Sequence, residues 1–479
     1  MSMGETADCI VIGAGLAGLS AAVALSSAGA RVSLMERKPY VGGRAYSYAH
    51  PALGEVIDSQ HVLLGCCTNL IDLCKIAGTD RHIRWYESIT FLEPSTGDRP
   101  TRRSDIGPCM LPSPGHSSLS FMRAPMLSLA DKAGIARGLI GFLHGYPADD
   151  SEAFSVWLKR TRQTEHSIRH FWEPIIVAAL NDSFDRCSTR YAGQVFYESF
   201  LKSADGGRLG IPAQPLSKFY LSVAEFAVEQ GTRLHLRKGI DRIEYLTRGV
   251  WQATASDGTA QTAQNLILAL SFEQTAGLLR TLPEGSVSRQ RVLPSLERFT
   301  HAPITTIHLW FDRPITDLDH AALLDSRIQW MFNKSRIRRF EAGQQSEPGQ
   351  YIELVISASF AELHQSREQI LQAATGELSR FFPAVHEAKI LRSGVLKEAR
   401  ATFSVVPGLD RFRLPPDAPG GGLYVAGDWT YTGWPSTMEG AVRSGRRAAE
   451  AIAHNSGNPV LSLKPDLAPQ GLMKWLAHQ

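Results

Sequence analysis

The chain has 479 residues, 43% of them hydrophobic and 20% charged, with a formal net charge of +3. That length exceeds one compact core and implies two domains, the apolar content excludes global disorder, and the small charge argues against nucleic acid as a partner. Six cysteines without C-x-x-C spacing exclude a zinc site and a disulfide scaffold, so no metal is expected and a reducing cytoplasm fits best.

The elements begin with "DCIVIGAGLAGLSAAVALSSAGARVSLMER". Cys9 to Ile12 reads as a buried strand, the alanine-rich stretch beyond Gly18 as a helix, and Arg31 to Leu34 as a second strand. Gly13, Gly15 and Gly18 form G-x-G-x-x-G. Gly13 makes the tight turn, Gly15 lets a pyrophosphate approach the backbone, and Gly18 lets the helix pack closely on the strand. The helix N-terminus then faces the phosphates, and Glu36 stands where an acid accepts from the adenosine ribose hydroxyls. "RKPYVGGRAYS" follows, with Arg37, then Gly42, Gly43 and Arg44. The glycine pair admits the same pyrophosphate and the guanidinium clamps it. "GEVIDSQHVLLG" (54–65) adds Asp58, Gln60 and His61.

Together these motifs resemble the flavoprotein family of amine oxidases, protoporphyrinogen oxidases and carotenoid desaturases. The resemblance implies an α/β fold. A Rossmann-like FAD-binding domain of the glutathione-reductase/amine-oxidase type would carry an inserted α+β substrate domain, and the loop with Gln60 and His61 would run towards the flavin ring. Residues 231–240 alternate as a strand reaching Ile240, which matches the family position that contacts adenine through its backbone; 263–271 suit a buried strand of the same sheet. The FAD domain is thus expected from 1–75, 215–280 and 395–460, leaving 76–214 and 281–394 for the substrate domain. Residues 301–315 alternate as a strand, and the basic run "KSRIRRF" (334–340) reads as a solvated loop. No second G-x-G-x-x-G occurs, so an external reductant, NAD(P)H or a reductase, would have to serve the flavin.

The fragment "GGLYVAGDWTYTGWPSTMEGAVRSGRRAAEAI" (421–452) completes the resemblance. Gly427 and Asp428 match the family turn whose acid accepts from the ribityl chain. Ser436, Thr437 and Met438 open a helix whose N-terminus would face the flavin; Ser436 and Glu439 also fit a capping box. Residues 428–437 contain neither Cys nor His, so FAD is expected to be non-covalent, with His61 the one exception to consider.

Within the family, "HFWEPIIVAALNDS" (170–183), "IPAQPLSKFY" (211–220), "QWMFNKSR" (329–336) and "KEARATFSVVP" (397–407) resemble the squalene-associated desaturases, the hydroxysqualene dehydroxylases of hopanoid biosynthesis. That subfamily usually follows "ALN" with threonine and proline, where this chain has Asp182 and Ser183, so no role passes to Asp182. The implied reaction protonates an allylic hydroxyl, releases water, and quenches the allylic cation with hydride from reduced flavin to give squalene. Trp172, Trp330, Trp429 and Trp434 are candidates to face the cation, and Asn181 to line the cavity. Asp58, His61 and Glu173 are the candidate acids, Glu173 because an apolar stretch could keep it protonated. Two other readings stand beside this one: a carotenoid-type desaturase, and a prenyl-lipid carrier like the GDP-dissociation inhibitors, which share the fold without FAD.

No run reaches the ~18–20 uncharged apolar residues of a membrane span. Residues 124–146 and the tail 461–479, ending "GLMKWLAHQ", mix apolar residues with Lys and Trp as interfacial helices do. A hydrophobic isoprenoid substrate therefore goes with peripheral, monotopic attachment to the inner membrane surface. No pattern fixes an oligomeric state.

Overall fold

The computed structural model describes residues 7–51, 53–97, 99–246, 249–342, 349–457 and 462–477. The first strand, β1 (Ala7–Ile12), is buried from Cys9 onward and lies parallel to β2 (Val32–Met35), with Cys9 opposite Val32. A run apolar on both faces belongs in the middle of such a sheet. On its other side β1 pairs with the long strand Ala260–Leu268, and the order across the sheet runs Arg233–His235, β2, β1, Ala260–Leu268, Trp251–Ala255, Ile240–Tyr245. Leu423–Val425 pairs in parallel with the carboxyl half of Ala260–Leu268, on the side away from β1, which places it one strand away from β1 in the same sheet.

Helix α1 (Leu16–Ser27) starts at Gly15 and is buried on almost every side, which suits its small residues. It packs on the C-terminal helix Met438–Asn455 at backbone distance: a Cβ on Gly445 would sit 2.1 Å from the Ala17 carbonyl oxygen, and Ser20 Oγ donates to the Val442 carbonyl at 2.9 Å.

The second sheet runs Ile390–Phe403, His301–Phe311, Gln350–Ser357, Trp330–Asn333, His320–Leu323, Ile89–Glu93, Arg102–Ile106. A small antiparallel sheet, Leu63–Leu64, Leu209–Pro212 and Ile83–Tyr86, stands beside these two. The pairing of His301–Phe311 with Ile390–Phe403 slips between Ala302 and Ile304. Pro303 there has no N–H to give the ladder.

Several expected elements fall differently. The alternating stretch 231–240 is broken: its strand ends at His235, Arg237 turns through φ +57°, and Ile240 opens a new antiparallel strand. The third FAD segment cannot begin at 395, because Ile390–Phe403 is one continuous strand of the second sheet. "KSRIRRF" is not a loop but the start of the helix Lys334–Ala342. The interfacial helix expected over 124–146 is only Leu129–Ile140, with Met126, Leu127, Ile135 and Phe142 turned into the core. Among the described residues of the tail only Met473–Leu476 is helical; residues 461, 478 and 479 lie outside the described residues. Among the described residues no helix is long and apolar enough to cross a membrane.

Candidate functional site

At the carboxyl ends of β1 and β2 the chain makes a cradle of bare backbone. Gly13 has φ +102°, and a Cβ there would lie 2.4 Å from the Ala269 carbonyl oxygen. One on Gly18 would lie 1.8 Å from the Gly13 oxygen, so helix and turn touch through missing side chains. Gly42 bridges Gly15, and a Cβ on Gly43 would come within 2.9 Å of the Gly15 Cα. Glu36 ties the cradle together by accepting from Ala14 N and Lys38 N, each at 2.8 Å. Arg37, Gly239 and Ile240 complete this end of a cavity of about 850 Å³. That size is near the upper end for small-molecule sites.

The cavity continues past Arg44 and Asp428. Arg44 donates to Asp428 Oδ1 at 2.5 Å and Ser436 Oγ to Oδ2 at 2.5 Å, so both carboxylate oxygens of Asp428 are already aligned. Ser436 is thereby withdrawn from the capping box expected of it. Thr437 caps the C-terminal helix instead, accepting from Gly440 N at 3.1 Å. Glu439 is wholly buried and accepts from Asn69 N and Leu70 N, the first residues of the helix Thr68–Ile76, and from Arg443. Met438 Sδ receives the Tyr220 hydroxyl. The first turn of an eighteen-residue helix therefore opens on the cavity, where its N–H groups favour negative charge. Arg413, buried, holds the loop before it by donating to the carbonyls of Asp428, Thr430 and Trp434.

Beyond this helix end the wall turns apolar, with Ile89, Phe91, Ile175, Leu209, Trp330 and Phe332. Asn181 lines the cavity in a left-handed conformation (φ +53°), but its amide is committed to Ala302 O, Thr402 Oγ1 and Ala358 N. It shapes the wall. Trp330 stacks parallel to Phe332, and Trp434 lines the cavity with Arg443 over one ring face at 4.9 Å.

Trp172 and Trp429 are not cavity residues. Trp172 sits in a buried aromatic cluster and donates to Gln163 Oε1; Trp429 packs beneath Gly427 and donates to Leu270 O.

The three candidate acids fare worse. Glu173 has a raised pKa, from burial and from Asp185, but does not line the cavity. Asp58 is buried away from it; burial resists ionisation, yet Lys334, Arg338 and Ser47 hold its pKa at about 2, so it carries no proton to give. His61 and Gln60 do line the cavity. Burial lowers the His61 pKa, and its Nδ1 lies 2.7 Å from the Ser59 carbonyl, which can only accept. The ring is therefore neutral with its proton on Nδ1, and Nε2 is an acceptor.

Two groups had no sequence signal as site residues. Lys334, from the supposed loop, is buried between Asp58 Oδ1 (3.0 Å), Gln60 Oε1 (2.6 Å) and Glu353 Oε2 (3.2 Å), and fixes the Gln60–His61 loop from behind. Glu198 lies on the π-helical turn Tyr197–Leu201, is buried, lines the cavity, and meets Lys202 Nζ at 2.9 Å. Burial raises its pKa against the pull of Lys202. The π turn that carries it shows only in the structure, where such turns often mark functional sites.

Residues 16–453 match the family model of flavin-containing amine oxidoreductases. The chain belongs to that family. For a flavin-containing amine oxidoreductase the residues present fit the cofactor: side-chain-free backbone at Gly13, Gly15 and Gly43, Glu36 at the adenosine end, and Asp428 with the Thr437 helix end further in. A probable zeta-carotene desaturase of Synechococcus elongatus is 24% identical over 92% of this chain and 98% of its own length. A 15-cis-phytoene desaturase of Glycine max is 26% identical over 94% of this chain and 80% of its own. Among solved structures, cyclohexylamine oxidase from Brevibacterium oxydans superposes with a TM-score of 0.67 at 18% identity, over 94% of this chain and 100% of its own. An oxidoreductase from Methanosarcina mazei gives 0.69 at 18%, over 91% and 98%. The fold is the FAD-binding fold of the amine-oxidase type. Membership makes the chain a flavin-dependent oxidoreductase and removes the ground for a flavin-free lipid carrier.

Proposed function

We propose that this oxidoreductase is a hydroxysqualene dehydroxylase, replacing an allylic hydroxyl by hydrogen to give squalene. Its support is one observation above the others: a buried carboxyl, Glu198, on the wall of a largely apolar cavity continuous with the dinucleotide cradle. FAD, bound non-covalently and reduced by an external donor such as NAD(P)H or a reductase, supplies the hydride. The chain supplies the rest. Hydroxide is a poor leaving group, so the C–O bond breaks only as a proton reaches that oxygen, and Glu198, whose pKa burial raises against the pull of Lys202, is the carboxyl on the cavity wall placed to deliver it. Lys202 Nζ orients the carboxyl and stabilises the carboxylate left behind. The apolar wall accepts hydrocarbon and excludes water. The Trp330 ring offers its face to the allylic cation, and the neutral His61 ring adds no opposing charge.

A second reading has its own support. The relatives from Synechococcus elongatus and Glycine max bear desaturase names, and the same apolar cavity suits a polyene. Product analysis separates the two. Purified enzyme is given hydroxysqualene with a chemical reductant, and in parallel 15-cis-phytoene with a quinone, both without oxygen. Squalene from the first alone supports dehydroxylation; desaturated product from the second with hydroxysqualene untouched replaces it by desaturation.

A further inference from the structure

We infer that one apolar face, assembled from three separated segments, docks on an anionic lipid bilayer. Met110 is fully exposed at 102%, with Leu111 beside it. The two residues that follow them hold the tail: Leu472 N donates to Ser113 O at 2.8 Å, and Gly471 packs on Pro112 so closely that a Cβ would lie 2.7 Å away. The tail is anchored from below by Met473, which is wholly buried, and this throws Leu472 and Trp475 outward, Trp475 to 87% exposure. Its end meets the helix Leu129–Ile140 just past that helix's terminus, where His144 Nδ1 and the Leu476 carbonyl lie 2.8 Å apart. Ile140 is 63% exposed one turn before, and Leu129 is 74% exposed at the other end. Lys132 Nζ reaches from this helix to the Met122 carbonyl, fixing the short helix Ser118–Arg123 that exposes Leu119 and Met122.

The charge on this face is mainly positive, with the exposed carboxylate of Asp205 at its edge, where it accepts from Gln470 Nε2 at 2.8 Å. Between 107 and 144 and between 470 and 477 the one carboxylate is Asp131. It is buried and bonded to Ser128, Thr164 and His166. Arg123 and Lys474 are exposed at the apolar surface. Large aliphatic side chains, a Trp at the tip and exposed cations in excess over the edge carboxylate match the interface of an anionic bilayer. Docking here stands apart from which isoprenoid is the substrate.

The test is flotation of the full FAD-loaded protein with vesicles of phosphatidylglycerol and phosphatidylcholine. Removing the tail would open the core at Met473, so the variant is Met110→Ser, Ile140→Ser, Trp475→Ser. A control, Leu221→Ser, Val228→Ser, removes exposed apolar residues from the helix Leu216–Glu229 of the FAD domain. Wild type and control should float, and the triple variant should bind about tenfold less with its FAD content and unfolding midpoint unchanged. High salt should weaken wild-type binding without abolishing it. Failure of wild type to float, an equal loss in the control, or complete loss in salt overturns the proposal. So does a wild-type dimer in sedimentation that ignores vesicles and that the triple variant dissolves, which would make the face a self-association surface.

Discussion

Replacing Glu353 by Gln tests whether the buried cluster behind the Gln60–His61 loop carries the charge state described. Glu353 has no exposed surface, accepts from Gln60 N at 2.6 Å, and lies 3.2 Å from Lys334. Burial pushes its pKa from 4.5 to about 7, with Lys334 opposing and Asp58 reinforcing the rise. An acid with a raised folded-state pKa binds a proton in the folded chain that the unfolded chain has already lost. Stability therefore falls as pH rises from the unfolded value through the folded one. The shift of 7 − 4.5 = 2.5 pH units corresponds to a full cost of about 3 kcal/mol above pH 7. Between about pH 5.5 and pH 8 the wild type should lose about 2 kcal/mol from this group, and Glu353→Gln should not. Urea unfolding of FAD-saturated protein, followed by tryptophan fluorescence at both pH values, gives the two slopes. Gln keeps the acceptor for Gln60 N, so the difference in slope is the readout and the absolute stability is not. Parallel pH dependence in variant and wild type would refute the assigned ionisation.

Asp428→Ala should bind FAD about 10–150-fold more weakly, from ~1.5–3 kcal/mol of lost charge-assisted hydrogen bonding, with Arg44 and Ser436 left unpaired as well; titration of flavin-depleted protein measures it, and unchanged affinity would show the turn to be wrongly assigned. Acid precipitation should release all yellow colour to the supernatant, and colour held in the pellet would mean a covalent flavin. Glu198→Gln should retain FAD yet lose about 10²–10⁴-fold in turnover, because the amide has no proton to transfer. In the wild type the rate should fall as pH rises through the raised Glu198 pKa; a flat profile with an active Glu198→Gln would assign the acid elsewhere.

What the sequence disclosed followed from how local each signal was. The Gly13–Gly15–Gly18 turn and β1 were legible because glycine spacing and a doubly buried apolar run need nothing beyond their own neighbourhood. Lys334 was illegible because its partner Asp58 lies 276 positions away, and a basic run without visible partners reads as solvated. Glu198 and Lys202, four apart, look like an exposed helical pair until the fold closes over them. Ser436 and Glu439 form a locally plausible cap, but each found a stronger distant use, Ser436 on Asp428 and Glu439 at the start of the helix Thr68–Ile76. Tryptophan identity says a side chain will be buried without saying against what, so Trp172 and Trp429 went to the core while Trp330 and Trp434 reached the cavity.

A single anaerobic turnover tests dehydroxylation most directly. The enzyme is reduced to colourless with a stoichiometric amount of reductant, and hydroxysqualene is added without oxygen. Dehydroxylation requires that the yellow colour return as one squalene forms per flavin, and that Glu198→Gln slow this step. Flavin that stays reduced with hydroxysqualene recovered intact would contradict it, as would oxidised enzyme being bleached by phytoene instead.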